Sequence, residues 1–372
     1  MLGMKAAFAV FLLALAACSL ATPEFARAYR DLKLTCMSCH TQPPKLNEFG
    51  EQFVRNGYSI PGKPRRPTLP ASVWVSGQIA NSDTQPGTYR TVPNRIEVIS
   101  AGRSGEASYF IEWRALSKEL LGDGSYRDRS GRFEDLFVTF DVSDQAQLQV
   151  GQFRAMSQID VSRRLFLSEP AAFSTSLPGE PDPDPRIASL RGFALSGRSP
   201  GVRAALAQGE WNAVVTVPFP GELSIPLTKE AQETASLEFE GSPKGVFVEG
   251  FRRHGPDSYG LHAFFGDNDR TLVGAAAQRR CGDVWLEGGL SRAEAGGADE
   301  WRYTLSADWI PRQESALGVR LDHRQIAGQT VSVTPYVSLF QSRGAKAAKL
   351  TLEAKFQDAR TPRFALELSG FF

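Results

Sequence analysis

The chain has 372 residues, a formal net charge of +1 and 22% Asp, Glu, Lys and Arg. So even a balance lacks the basic excess of a nucleic-acid-binding protein and the one-sign charge of a disordered chain. Mean hydropathy is −0.25, and beyond the N-terminal leader no run of about 18 apolar residues exists to cross a bilayer as a helix; a membrane crossing would have to use strands.

In the leader, Lys5 precedes the apolar run AAFAVFLLALAA, which has the length of a secretory h-region and is too short to span. Cleavage after Ala21, with Ser19 three positions before the cut, makes residues 1–21 a signal peptide. LAAC, Leu15 to Cys18, also reads as a bacterial lipobox with Cys18 as the lipidated first residue. The sequence leaves both readings open.

CMSCH, Cys36 to His40, is the strongest local signal. Two thiols at this spacing add to the two vinyl groups of haem, and the imidazole that follows is placed to bind the iron. The alternatives are a local disulfide and half of a zinc site. Zinc needs two further ligands, and no Cys or His lies between His40 and His254. The stretch therefore reads as the attachment site of one covalent haem c, with Cys36 and Cys39 as thioethers and His40 as the proximal iron ligand.

Two short helices should flank it. Phe25, Tyr29 and Leu32 share one helical face, and Leu46, Phe49 and Phe53 share another, with Pro44 near its start and Gly57 at its C-terminal cap. Tyr29, Leu46, Phe49 and Phe53 are the expected haem-packing residues, because about 45 residues bury little without a cofactor or a neighbouring domain. Pro61 to Pro70 reads as a stiff, basic linker. Residues 22–66 are thus assigned to a monohaem cytochrome c domain.

Cytochromes usually complete the iron with Met or His, yet neither occurs from Thr41 to Ala155. Either the rest of the chain supplies the sixth ligand, or the position is open or unusual, with water, Lys45, Asn47 or the mature N-terminus in it. Met156, at the start of a long loop that could fold inwards, and His262, on the polar face of its strand, are the candidates from the rest of the chain. His254 falls in a turn, and His323 falls on an apolar face.

From Ala71 the period changes to two. Arg302, Thr304, Ser306 and Asp308 alternate with Trp301, Tyr303, Leu305, Ala307 and Trp309, and AKLTLEAKF repeats the pattern at Ala348 to Phe356. About sixteen to eighteen such stretches of about 9–12 residues have the length of tilted membrane strands. A soluble sandwich or lipocalin-like set is the competing fold. Against it stand the uninterrupted alternation, the Trp and Tyr near strand ends, and the apolar dyad pattern of the closing RFALELSGFF. The fold expected is mainly β: residues 67–372 form a transmembrane antiparallel β-barrel of about 16 strands (16–18 by this count), with the small helical haem domain plugging or capping its lumen. Trp301, Tyr303, Leu305 and Phe364 should face lipid.

Weaker constellations remain. Cys281 shares parity with Asp283 and Glu287 and should face the lumen as a lone thiol. Arg163, Arg164, Arg252, Arg253, Arg279 and Arg280 line a channel, contact haem propionates or form solvated rims, the last being the commoner place for paired arginines at strand ends. LPGEPDPDP, Leu177 to Pro185, offers carboxylates to Fe(II) or is simply an acidic Pro-rich loop.

TPEFARAY followed by CMSCHTQPPKLNEFGEQFVRNGY resembles the N-terminal haem segment of the outer-membrane cytochrome-porin fusion family, whose members include iron oxidases of iron-oxidising bacteria. The motif match lies within residues 22–58, and the remainder matches by architecture alone. The stretch from Phe25 to Cys36 is longer than the family pattern. The resemblance implies a bacterial outer-membrane protein, with its haem domain in the lumen or on the periplasmic side. It would pass electrons from extracellular Fe(II), or another donor, to a periplasmic electron carrier, with outer-membrane lipid as its other partner and no nucleic acid. The alternative is a porin or structural barrel whose haem-bearing plug carries no physiological current. A haem enzyme with an open iron is the third reading.

Overall fold

The computed structural model describes residues 24–63, 71–81, 89–120, 126–128, 130–159, 163–168, 170–173, 198–219, 223, 225, 245–266, 270–295, 298–325, 330–343, 346–357 and 362–371. The leader with Cys18, the acidic stretch Leu177 to Pro185 and most of the linker lie outside them.

Sixteen antiparallel strands close into one barrel. They are β1 (Ser72–Asn81), β2 (Tyr89–Ser104), β3 (Ala107–Leu120), β4 (Arg132–Ser143), β5 (Ala146–Arg154), β6 (Arg198–Gln208), β7 (Trp211–Pro218) and β8 (Gly245–His254). The second half is β9 (Asp257–Gly266), β10 (Thr271–Cys281), β11 (Val284–Ala295), β12 (Ala298–Arg312), β13 (Ser315–Arg324), β14 (Thr330–Arg343), β15 (Lys346–Gln357) and β16 (Arg363–Phe371). β16 pairs back onto β1, with Phe371 opposite Trp74 and their rings stacked at 4.9 Å. Closure removes the unpaired edge that hydrocarbon would not tolerate.

One rim carries tight two-residue turns, four of them opened by left-handed Gly105, Gly209, Gly255 and Gly282, as hairpin turns of the primed types require. The longer connections leave the opposite rim. Alternation sorts the faces as expected. Trp301, Tyr303, Leu305 and Phe364 are exposed on the outer surface, while Arg302, Thr304, Ser306 and Asp308 are buried inside. Leu305 is 59% exposed in mid-strand, so Leu305→Arg should cost about 2–4 kcal/mol of insertion free energy. Urea titration of refolding into lipid vesicles measures this.

Cys281 corrects an expectation. It lies exposed opposite Val284, on the outer face with Val273, whereas Trp285 points inward. Face parity reverses across the two-residue turn Gly282–Asp283, so Cys281 and Glu287 share odd numbers and opposite faces.

The N-terminal segment enters the barrel at the short-turn rim. Its helices are α1 (Glu24–Ala28), α2 (Cys36–Cys39) and α3 (Glu48–Arg55). α1 is shorter than its pattern predicts, because Tyr29 leaves the helical region (φ −121, ψ 45) and Lys33 is left-handed. The Tyr29 hydroxyl instead accepts from the Ile60 amide at 3.2 Å, and its ring packs on Phe53. Leu32, freed from that face, is 39% exposed. α3 starts later than expected, since Pro43 and Pro44 disfavour helix in the residues before them, and His40–Gln42 pairs with Lys45–Leu46 as a small ribbon. Gly57, at φ +62, ends α3 as expected: its amide donates to Val54 O and that of Tyr58 to Phe53 O.

The segment is fastened to the lumen wall. Lys45 Nζ meets Asp308 Oδ2 at 2.5 Å over the Trp285 ring, and the Tyr336 hydroxyl donates to the same carboxylate at 3.0 Å. Gln42 donates to the Ser338 carbonyl at 3.3 Å, and Tyr58 stacks on Phe110 at 5.2 Å.

The chain after β5 also folds inwards. Its backbone amides find carboxylates on the wall: Ser157 and Gln158 donate to Glu249, Leu167 to Glu353 and Ala171 to Asp322. Irregular backbone is tolerated at this depth where the wall offers acceptors to it, as these carboxylates do to Ser157, Gln158, Leu167 and Ala171.

Candidate functional site

The single turn α2 puts Cys36 and Cys39 three residues apart, on one side of the chain. His40 leaves that turn extended (φ −118, ψ 141), and its Nδ1 lies 3.2 Å from the Pro44 carbonyl. Donation to that carbonyl places the proton on Nδ1 and leaves the Nε2 lone pair for a metal. Burial lowers the His40 pKa to about 4, so the ring is in its neutral, ligating form at neutral pH. Burial raises both thiols, and the charge of Cys36 assists in taking Cys39 to about 11. Both therefore stand as neutral thiols at neutral pH.

α3 clamps this turn. Asn47, its N-cap, accepts from the Gly50 amide at 3.0 Å and donates from Nδ2 to Met37 O and Ser38 O at 3.3 and 3.1 Å. Gly50 is required by contact, since a Cβ there would stand 2.1 Å from the Cys39 carbonyl oxygen. Gly50→Ala should push α3 off the attachment turn at a cost of about 1–3 kcal/mol. Limited proteolysis within residues 24–63 should quicken in that variant, with the barrel itself still folded.

Cys36, Cys39 and His40 stand on the wall of one cavity of about 1170 Å³ in the lumen, larger than the roughly 300–1,000 Å³ of ordinary ligand pockets. Leu46 and Phe53 share that wall. Tyr29 packs edge-on against Phe53 at 6.1 Å and does not line the cavity, and Phe49 is 36% exposed away from it. These residues fit a haem: paired thiols, a neutral imidazole oriented by a carbonyl, Leu46 and Phe53 beside them for the apolar ring, arginines such as Arg163 and Arg164 elsewhere on the wall for its carboxylates, and room.

The candidates for the sixth position separate. Met156 is buried and lines the same cavity. His262 faces inward as expected, but it sits near Phe247 (6.0 Å) and against Gly274, off the cavity wall. His323 stacks on Tyr303 at 4.4 Å on the outer face, and His254 meets Glu210 at the rim. Lys45 is held by Asp308, and Asn47 by its capping role. Arg163, Arg164 and Arg253 line the cavity, whereas Arg252 pairs with Glu210 at the rim. The wall carboxylates Glu249 and Asp308, which hold the loop and the plug, were not singled out by sequence. A charged residue on a lumen face gives no sign of its partner.

The fold is that of outer-membrane porins. Similar structures are Salmonella typhi OmpF in complex with daunomycin (TM-score 0.54, 7% identity, covering 81% of this chain and 97% of that one) and an anion-selective porin from Comamonas acidovorans (TM-score 0.51, 13% identity, 81% and 98%). A porin refined at 1.8 Å resolution has a TM-score of 0.50 at 11% identity, covering 81% and 99%. No protein-family model and no curated protein matches the chain.

Proposed function

We propose that this chain is a monohaem cytochrome-porin of the bacterial outer membrane, which passes electrons between an extracellular donor, Fe(II) among the candidates, and a periplasmic carrier. The observation that carries the reading is the convergence of Cys36, Cys39 and the neutral His40 on one lumenal cavity. The outward apolar band and the porin fold support the membrane location. In such barrels short turns face the periplasm, which supports a periplasmic side for the attachment segment.

Cys36 and Cys39 would hold the haem as thioethers, each thiol S–H adding across one vinyl double bond, sulfur to one carbon and hydrogen to the other, with no oxidant needed. His40 would hold its iron through Nε2. When bound, the haem supplies a one-electron couple at a depth where the barrel otherwise provides only insulating wall. Leu46 and Phe53 give the cavity an apolar surface beside the attachment turn.

The porin fold favours a second reading, a porin or structural barrel in which the segment is only a stopper. Vesicles bearing the protein, with ferricyanide trapped inside and an impermeant Fe(II) chelate outside, separate the two. Ferricyanide reduction that requires Cys36 and Cys39 supports the conduit. Sugar uptake that persists without those cysteines, with no ferricyanide reduced, supports the stopper.

A further inference from the structure

We propose that Met156, carried by the inward-folded chain after β5, is the distal axial ligand of the haem iron, and that Glu249 is the residue that positions it. The inference rests on the haem reading above. Of the described methionines and histidines other than His40, only Met156 stands on the cavity wall. It is 3% exposed among Phe173, Phe247, Phe264 and Leu272, an apolar setting that suits a neutral thioether ligand.

The backbone around Met156 is pinned on both sides. Before it, Arg203 donates to Ala155 O at 2.9 Å and also to Arg154 O. After it, the Glu249 carboxylate accepts from the Ser157 amide at 3.0 and 2.9 Å, from the Ser157 hydroxyl at 2.7 Å and from the Gln158 amide at 3.0 Å. Arg253 donates to Ser157 O and Gln158 O at 3.2 and 2.9 Å, and Gln158 donates to Ala276 O at 2.6 Å. These bonds fix the backbone on both sides of Met156. The same inward chain reaches the attachment segment, since Arg163 Nη1 meets Glu51 Oε1 of α3 at 2.6 Å. It therefore carries a methionine at one end and grips the helix that clamps Cys39 at the other. The barrel in this way supplies the ligand that the N-terminal segment lacks.

The test is the optical and magnetic spectrum of the purified full-length holoprotein. The unmodified protein should be low-spin with a thioether-to-iron charge-transfer band. Met156→Leu, which conserves volume, should abolish the band and convert the iron to high-spin while the haem stays covalently attached. Met156→His should restore a low-spin iron with a bis-imidazole signature. Glu249→Gln keeps one acceptor oxygen and turns an amide donor toward the loop amides, so it should weaken the band at unchanged haem content. His262→Leu should leave the spectrum as it was. A high-spin unmodified protein, a band that survives Met156→Leu, or a band lost with His262→Leu would overturn the assignment. Those outcomes all require attached haem; a full-length protein that carries none would overturn the underlying reading instead.

Discussion

A chain with both Cys36 and Cys39 replaced by Ala is expected to assemble as a folded barrel and to show no haem colour at its full-length band on a denaturing gel, where the unmodified chain stays coloured. The barrel should survive because its closure depends on pairing from β1 to β16, in which neither cysteine takes part. The colour should vanish because only covalent thioethers withstand denaturation, and the remaining described cysteine, Cys281, lies exposed on the outer face. Each single replacement leaves one thioether and should keep part of the colour. Full colour in the double variant, or colour lost from the intact chain on denaturation, would remove the attachment site.

The second large effect is at Lys45 and Asp308, whose side chains are 6% and 3% exposed. Asp308→Asn leaves an ammonium buried beside Trp285 without its carboxylate, at a cost of about 3–5 kcal/mol. The attachment segment should loosen, which planar-bilayer recordings would show as higher ion conductance and limited proteolysis as cleavage within residues 24–63. Adding Lys45→Met should recover much of the loss, because the cavity wall accepts an apolar chain more readily than an unpaired charge. Unchanged conductance in Asp308→Asn would mean that this pair does not hold the plug.

Much of the barrel was legible because period-two alternation is written locally. Trp301, Tyr303 and Leu305 could be assigned to lipid from their neighbours alone. Cys281 was misassigned because its face depends on the turn that follows it. The ends of α1 and α3 were set by contacts of Tyr29 and by Pro43 and Pro44, against helical spacing. At the site, CMSCH is a local pattern that five residues are enough to display, and the absence of Met and His from Thr41 to Ala155 leaves the sixth position either to the barrel or open. What held the parts together was not legible. Lys45 and Asp308 stand 263 positions apart, Ser157 and Glu249 stand 92 apart, and no local pattern joins them. The acidic stretch Leu177 to Pro185, offered as a surface for Fe(II), lies outside the described residues.

Haem absorbance in intact cells tests the central claim most directly. After addition of an impermeant reductant, cells making the unmodified protein should show rapid reduction of the haem. Cells making the Met156→Leu variant, which retains attached haem, serve to show how far the rate depends on the distal ligand. Haem that stays oxidised in intact cells but is reduced at once when the membrane is opened would contradict the account, leaving a porin-like barrel with a haem-bearing stopper.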